Sequence, residues 1–415
     1  MKMKLNAIYS SFGQHYSSLA LFLLGAIALI VPSGYSVGSL LLLLASITLL
    51  WRRPAFNLQK QGKLLMLVLA VYSLLFIVQL FFEGVSSSAY DRPLRFLLAL
   101  PVLLFILAYP PKLAALWAGL ALGSILTGSW ALWQNLVLNI DRAGGHTFVI
   151  QFGNISMLFG LFCLAGLGWA AVQVKPKQWL SLLLLGAFFG ILASLLSGSR
   201  GGWVGLPFVF LVIYRAYGQL LAVKFKLILL VIVLSFVALV YLTPQTGVKA
   251  RVLHAFYDIE LYFSGESKNT SLGLRFDMWQ GAIKLIVEKP LAGWGYEGYH
   301  EGMQALANQG EVTAFAVENH AHNDFLDTFA RRGLLGLLTL LMLYLVPLHL
   351  FSNYLASSNM ELRAVATAGA LLPVAFIDFG LSQAFLEHNS GVMIYAFWLV
   401  VLWGCLRSVE KKDAA

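Results

Sequence analysis

The chain has 415 residues, of which 59% are hydrophobic and only 11% charged. Soluble domains carry about 25% charged residues, so a soluble globular protein is excluded and an all-α polytopic membrane protein is expected. The net charge of +9 would suit a polyanion binder, but the placement of the cations, described below, argues against nucleic acid.

A membrane-crossing helix needs about 20 largely apolar residues. Twelve candidates are predicted in chain order: Ser17–Val31, Val37–Trp51, Leu64–Phe82, Leu94–Tyr109, Leu113–Leu138, Phe148–Val174, Trp179–Ser197, Trp203–Tyr217, Phe225–Thr243, Gly333–Phe351, Leu362–Leu386 and Gly391–Leu406. Lys2 and Lys4 before the first apolar run, with Ala26-Ile27-Ala28 behind them, resemble a signal peptide. The apolar run continues past that point, so an uncleaved first span is expected. Cys163 and Cys405 both fall in predicted spans, which argues for packing thiols rather than a disulfide or zinc framework.

With the amino terminus inside, the inside segments hold 16 of the 28 Lys and Arg. The short outside loops hold Arg92, Arg95, Arg142 and Arg200, and the long segment Pro244–Arg332 holds the other 8. This asymmetry places both termini in the cytoplasm and the long segment outside. The expected organisation is a membrane domain over residues 1–243, a loop subdomain over 244–332 and a second membrane part over 333–415. The loop's 8 cations face 11 carboxylates, so it is not a polyanion-binding patch.

Leu274, Met278, Gly281, Ala282, Leu285 and Ile286 recur at helical spacing, predicting an amphipathic helix over Leu272–Glu288 that ends before Pro290. It is expected to pack on the membrane domain or lie at its interface. The string Gly293-x-Gly295-x-x-Gly298 matches a dinucleotide fingerprint only literally, because no strand precedes it; a flexible, aromatic-rich turn is expected there. A second loop helix is predicted from an Asn319 N-cap through Arg331.

The segment Glu318–Asp327 concentrates two imidazoles and three carboxylates within ten residues. Histidine titrates near neutrality, so this is a candidate proton-handling site. Helical spacing puts His322 on one face with Phe325, Leu326 and Phe329, near the first turn, where partial burial and the helix N-terminus favour a neutral imidazole. His320 has a less definite facing, and Asn323 suits either a substrate contact or a helix cap. Arg200, in Ser197-Gly198-Ser199-Arg200-Gly201-Gly202, and Arg275, at the start of the loop helix, suit a diphosphate clamp, because guanidinium forks match phosphate oxygens. Trp294, Tyr296 and Tyr299 suit stacking on sugar rings. Arg92 and Arg95 suit a phosphate or lipid head group, or helix anchoring. Asp378, within the eleventh span, is an intramembrane carboxylate and a candidate by default, with a basic group near the outer surface as its expected partner. Glu387-His388-Asn389 reads as a solvated turn. No DxD pair or metal-spaced ligand set occurs outside the His segment, so neither metal nor cofactor is expected.

Together, Ser197-Gly198-Ser199-Arg200-Gly201, Arg275-x-x-x-Trp279, Pro290-Leu291-x-Gly293-x-Gly295 and His322-Asn323-Asp324-Phe325-Leu326 followed by Gly333 and Gly336 resemble the O-antigen ligase family, relatives of the O-antigen polymerases and bacterial O-oligosaccharyltransferases. The resemblance implies a GT-C-like inner-membrane glycosyltransferase working in the periplasm, metal-independent and inverting. The donor would be O-antigen on undecaprenyl diphosphate, and the acceptor a lipid A–core hydroxyl. The family's essential arginines map onto Arg200 and Arg275, and its essential histidine onto His322. A transporter or lipid-glycan flippase is the reading from another class. It requires titratable residues in several spans near the midplane, whereas Asp378 is nearly alone there.

Overall fold

The computed structural model describes residues 2–52, 54, 58–199, 201–243, 248–317 and 320–413. Leaving aside single-turn helices, the elements are α1 (Lys2–Ala26), α2 (Gly34–Ser46), α3 (Lys60–Glu83), α4 (Asp91–Ala108), α5 (Leu113–Leu136), α6 (Val149–Ala165), α7 (Pro176–Ser197), α8 (Leu206–Tyr217), α9 (Val223–Leu242), α10 (Val248–Ser264), α11 (Ser271–Glu288), α12 (Tyr296–Asn308), α13 (Asp324–Ser352), α14 (Met360–Ser382) and α15 (Asn389–Asp413). No strand occurs among the described residues. A lipid bilayer offers no water to unpaired backbone groups, so a chain this apolar satisfies them within helices.

Eight helices among the described residues are long and apolar enough to cross a membrane, and the chain is a multi-pass membrane protein. Twelve spans are predicted from sequence; the segments outside these eight are the helices α1, α4, α8 and α9. The eight include α14 and α15, which with α6 form the centre and are buried along almost their whole length. Trp398, Phe159 and Phe162 lock α6 to α15, with ring centroids 5.4 and 5.6 Å from the tryptophan. Small residues let other backbones touch: a Cβ on Gly123 would lie 2.1 Å from the Gly25 carbonyl oxygen, so α1 and α5 meet without side chains between them. Cys163 and Cys405 are buried free thiols within this core.

The loop segment forms its own small core. Met278, Ala282 and Leu285 of α11 close on Tyr299, Met303 and Leu306 of α12 and on Val312 and Ala316. The apolar face of α11 therefore turns into this loop core, to which α13, one of the candidate spans, contributes Leu326 and Ala330. Asp277, fully buried, staples this core by accepting from Lys268 Nζ at 2.9 Å and from both the backbone N–H and the hydroxyl of Thr313 at 2.7 Å.

A backbone crossing joins the loop to the bundle. α13 breaks at Gly333, whose φ of 62° and ψ of −164° are not helical. The strap 290–295 lies across that break: Trp294 N–H donates to the Ala330 carbonyl at 2.9 Å, Gly295 N–H to Arg331 at 2.8 Å, and Leu334 N–H to Pro290 at 2.9 Å. The Gly293/Gly295 string is thus a fixed crossing, not a flexible turn, and α12 begins directly after it. A Cβ on Gly293 would sit 2.5 Å from Arg331 and Gly333 backbone atoms. Glu83 of α3 holds the same point by accepting from Tyr296 N–H at 2.6 Å.

Candidate functional site

The polar groups converge where the loop meets the ends of α13 and α14. α13 begins at Asp324, not near Asn319, and its cap is Asn323. The Asn323 Oδ1 accepts from Phe325 N–H and Leu326 N–H at 3.0 Å each, and its amide nitrogen donates to the Leu381 carbonyl at 3.2 Å. Asn323 therefore ties two helix ends together. Glu318 and Asn319 lie outside the described residues.

His322 precedes this cap rather than sharing a helical face with Phe325 and Leu326. Its φ of 48° puts it in the left-handed region, which a non-glycine residue occupies at a cost of about 1–2 kcal/mol. Its backbone N–H donates to His320 Nδ1 at 3.2 Å, and the two rings lie 4.3 Å apart. His322 Nδ1 meets the side-chain oxygen of Gln383 in a short hydrogen bond. An amide oxygen only accepts, so Nδ1 carries the proton and Nε2 keeps its lone pair. The Gln383 nitrogen in turn donates to His388 Nε2 at 2.8 Å. Burial above all, then His320, Arg275 and His388, lower the His322 pKa to about 4, against the raising effect of its Gln383 bond. His388 is likewise lowered to about 4, by burial and then by His320. Both imidazoles are neutral at physiological pH.

Around them is a set of buried ion pairs. Glu387 faces Arg92 at 2.5 Å and Arg332 at 3.6 Å. Burial pushes the Glu387 carboxyl up, but Arg92, Arg332 and Arg331 together hold it down at about 2. The turn 387–389 is thus built in rather than merely solvated. Arg92 also donates to the Glu387 carbonyl at 2.7 Å, and Arg95 pairs with Asp91 and reaches the Asn389 carbonyl at 3.2 Å. Both arginines clasp α4 to the turn before α15.

Arg275 lines a cavity of 1110 Å³ together with Arg142, Ser199, Gly201, Ser382 and Asn323. Burial and the nearby Arg142 charge lower the Arg275 pKa, the mark of two cations sharing a partly dry space. Arg142 is itself set by donating its Nε–H to the Ser197 carbonyl at 3.1 Å. Arg200 lies outside the described residues, between Ser199 and Gly201 of this wall.

The remaining candidates part company. Tyr296 lines a 430 Å³ cavity with His320, Arg92 and Glu387. Tyr299 borders the same cavity while packing, with Trp294, in the loop core. Lys289 covers the Trp294 ring at 3.6 Å, and Arg331 covers the 1%-exposed Tyr299 ring at 4.5 Å, so a cation occupies one face of each ring. Among the described residues Asp378 pairs with backbone: it accepts from Gly205 N–H at 2.6 Å and fixes the start of α8. Sequence reasoning missed Gln383, His388 and Arg142. Gln383 was counted inside the eleventh span, but α14 ends at Ser382 and Gln383 is extended. A glutamine at the rim of an apolar run was the one signal available. Among the described residues, no group of three or more His, Cys, Asp or Glu is disposed to hold a metal ion.

A multi-pass helical membrane protein with neutral imidazoles beside a cationic cavity at one end of its bundle is the class defined by this fold and site. The family model described as O-antigen ligase matches residues 185–341, which span α11, the strap and the histidines. An uncharacterized protein of Haemophilus influenzae is 30% identical over 373 residues, covering 88% of this chain and 92% of that protein. An O-antigen ligase of Escherichia coli K12 is 24% identical over 285 residues, covering 67% of this chain and 64% of that protein. The chain belongs to the O-antigen ligase family.

Proposed function

We propose that this protein is a glycosyltransferase that moves an O-antigen glycan from undecaprenyl diphosphate to a sugar hydroxyl of lipid A–core. The observation that carries this reading is the pairing of a tautomer-fixed His322 with the Arg275–Arg142 cavity. His322 Nε2 takes the proton of the acceptor hydroxyl as that oxygen bonds to the anomeric carbon. The bond from that carbon to the diphosphate oxygen breaks, and the electron pair leaves with the diphosphate. Arg275, Arg142 and Arg200 offer guanidinium donors to the charge that grows on it, without a metal. Attack from the face opposite the leaving group inverts the anomeric centre.

In this reading α1, α4, α8 and α9 cross the membrane beside the eight other spans, in a twelve-helix GT-C-like bundle. The excess of cations on the segments between spans assigns both termini to the cytoplasm and residues 244–332, between the membrane parts 1–243 and 333–415, to the periplasmic face of the inner membrane. The purified protein, given the lipid-linked glycan with lipid A–core, a second lipid-linked glycan or a protein acceptor in separate reactions, tests the assignment. Transfer to lipid A–core alone is expected. Transfer only to the second glycan or to protein would make it a polymerase or an O-oligosaccharyltransferase, and undiminished transfer by His322→Ala would remove the base.

A further inference from the structure

A second large cavity, of 790 Å³, shares no lining residue with the Arg275 cavity. Neighbouring residues of α6 divide between the two: Ile150 lines the first and Gln151 the second. Gln151 is 1% exposed, yet neither its amide oxygen nor its amide nitrogen has a hydrogen-bond partner. Buried polar groups in folded chains are almost always paired, so a primary amide left unpaired at both ends in a cavity wall is set out for a ligand. A second such donor stands nearby. Trp130 Nε1 is buried without a partner, and its ring stacks on His146 of the cavity wall at 5.9 Å and 22°.

The charges on this wall largely neutralise each other. Arg92 is paired with Glu387, and Asp91 with Arg95. Glu297 adds a carboxylate that disfavours an anionic ligand. What remains includes the Gln151 amide, the imidazoles of His146 and His388, and the rings of Tyr35, Phe148 and Tyr296. An amide presents one donor edge and one acceptor edge, which match two adjacent sugar hydroxyls, while aromatic rings suit the C–H face of a pyranose.

We propose that this cavity is a subsite for an uncharged sugar unit of the acceptor, held through paired hydrogen bonds to the Gln151 amide. The proposal rests on the glycosyltransferase reading and names where its acceptor docks. His388 belongs to the same cavity and is joined through Gln383 to His322, so two hydrogen bonds connect the wall of this cavity to the base.

The test uses the full chain in nanodiscs with saturating lipid-linked donor and titrated lipid A–core. Gln151→Leu keeps the volume and removes both hydrogen-bonding edges. It is expected to raise the acceptor KM about tenfold, with kcat and the donor KM unchanged. Because Gln151 is buried, thermal unfolding is read alongside, and His146→Ala provides a second variant that alters the wall from another element. An unchanged acceptor KM in both variants, or a rise confined to the donor KM, would overturn the subsite while wild-type transfer stands. Failure of the wild type with every acceptor would instead sink the parent reading and the subsite with it.

Discussion

The protonated Nδ1 of His322 and the side-chain oxygen of Gln383 are bonded across the junction of α13 and α14, 61 residues apart in sequence. The bond fixes which ring nitrogen is free. It also makes His322 part of a chain that runs through the Gln383 amide to His388, so three side chains share one hydrogen-bond polarity.

Replacing Gln383 by Leu should therefore slow transfer without removing the base. An imidazole without this acceptor populates both tautomers, and a buried N–H left unpaired costs roughly 1–3 kcal/mol. A fall in kcat of about 10- to 100-fold is expected, with the donor KM unchanged. Gln383→Glu retains an acceptor oxygen but adds charge, and should move the acid limb of the pH profile upward. Steady-state kinetics across pH would read both effects, and an unshifted limb in Gln383→Glu would count against the polarity argument.

Acid should act at two places with separate signs to check. The proposed base must be neutral, and the His322 pKa is lowered from 6.5 to about 4, so activity should persist through pH 6 and fall near pH 4. Stability follows the same groups. Between pH 6.5 and 4 the unfolded His322 and His388 bind protons that the folded chain refuses, so stability declines as pH falls through that window. Glu387, lowered from 4.5 to about 2, contributes stability that is present above pH 4.5 and lost on the way to pH 2. Unfolding midpoints measured from pH 7 to 3 should drop in two stages, and Glu387→Gln should flatten the second.

Arg275→Ala and Arg142→Ala should each weaken capture of the diphosphate donor. Charge-assisted hydrogen bonds contribute about 1.5–3 kcal/mol, so a rise in donor Kd of roughly 10- to 100-fold is expected for each. Arg275→Lys keeps the charge but loses the fork and should fall between. Binding of a nonhydrolysable lipid diphosphate, measured by intrinsic tryptophan fluorescence, would show whether affinity follows this order.

Two glycines with similar φ should respond differently to alanine. Gly310, at φ 74°, has open space where a Cβ would go, so only the left-handed strain of about 1–2 kcal/mol applies. At Gly333, with φ 62°, a Cβ would lie 2.1 Å from the Leu291 carbonyl oxygen. That clash adds to the strain, and Gly333→Ala should lose several times as much stability as Gly310→Ala. Thermal unfolding of the two variants in one detergent gives the comparison.

The helix 271–288 was legible because its apolar residues recur at helical spacing wherever that face is buried. The start of α13 was not, because Asn319 and Asn323 are equally good caps by residue type. The bond from Asn323 to Leu381, 58 residues away, belongs to tertiary structure. Arg92 and Glu387 are 295 residues apart, and nothing local to either announces the other. Gln151 and Gln383 sit at the ends of apolar runs, where a glutamine reads as a rim residue whatever it faces. Asp378 was singled out by its rarity within a span, and rarity is silent on whether a partner is a substrate or a backbone N–H.

The wall of the Arg275 cavity also holds Ile150, Val204, Leu272 and Leu381. A space that combines guanidinium groups with aliphatic walls is shaped for an amphiphile. Solubilising agents with anionic heads are therefore competitive inhibitors in waiting, and turnover in zwitterionic or neutral micelles should exceed that in anionic ones.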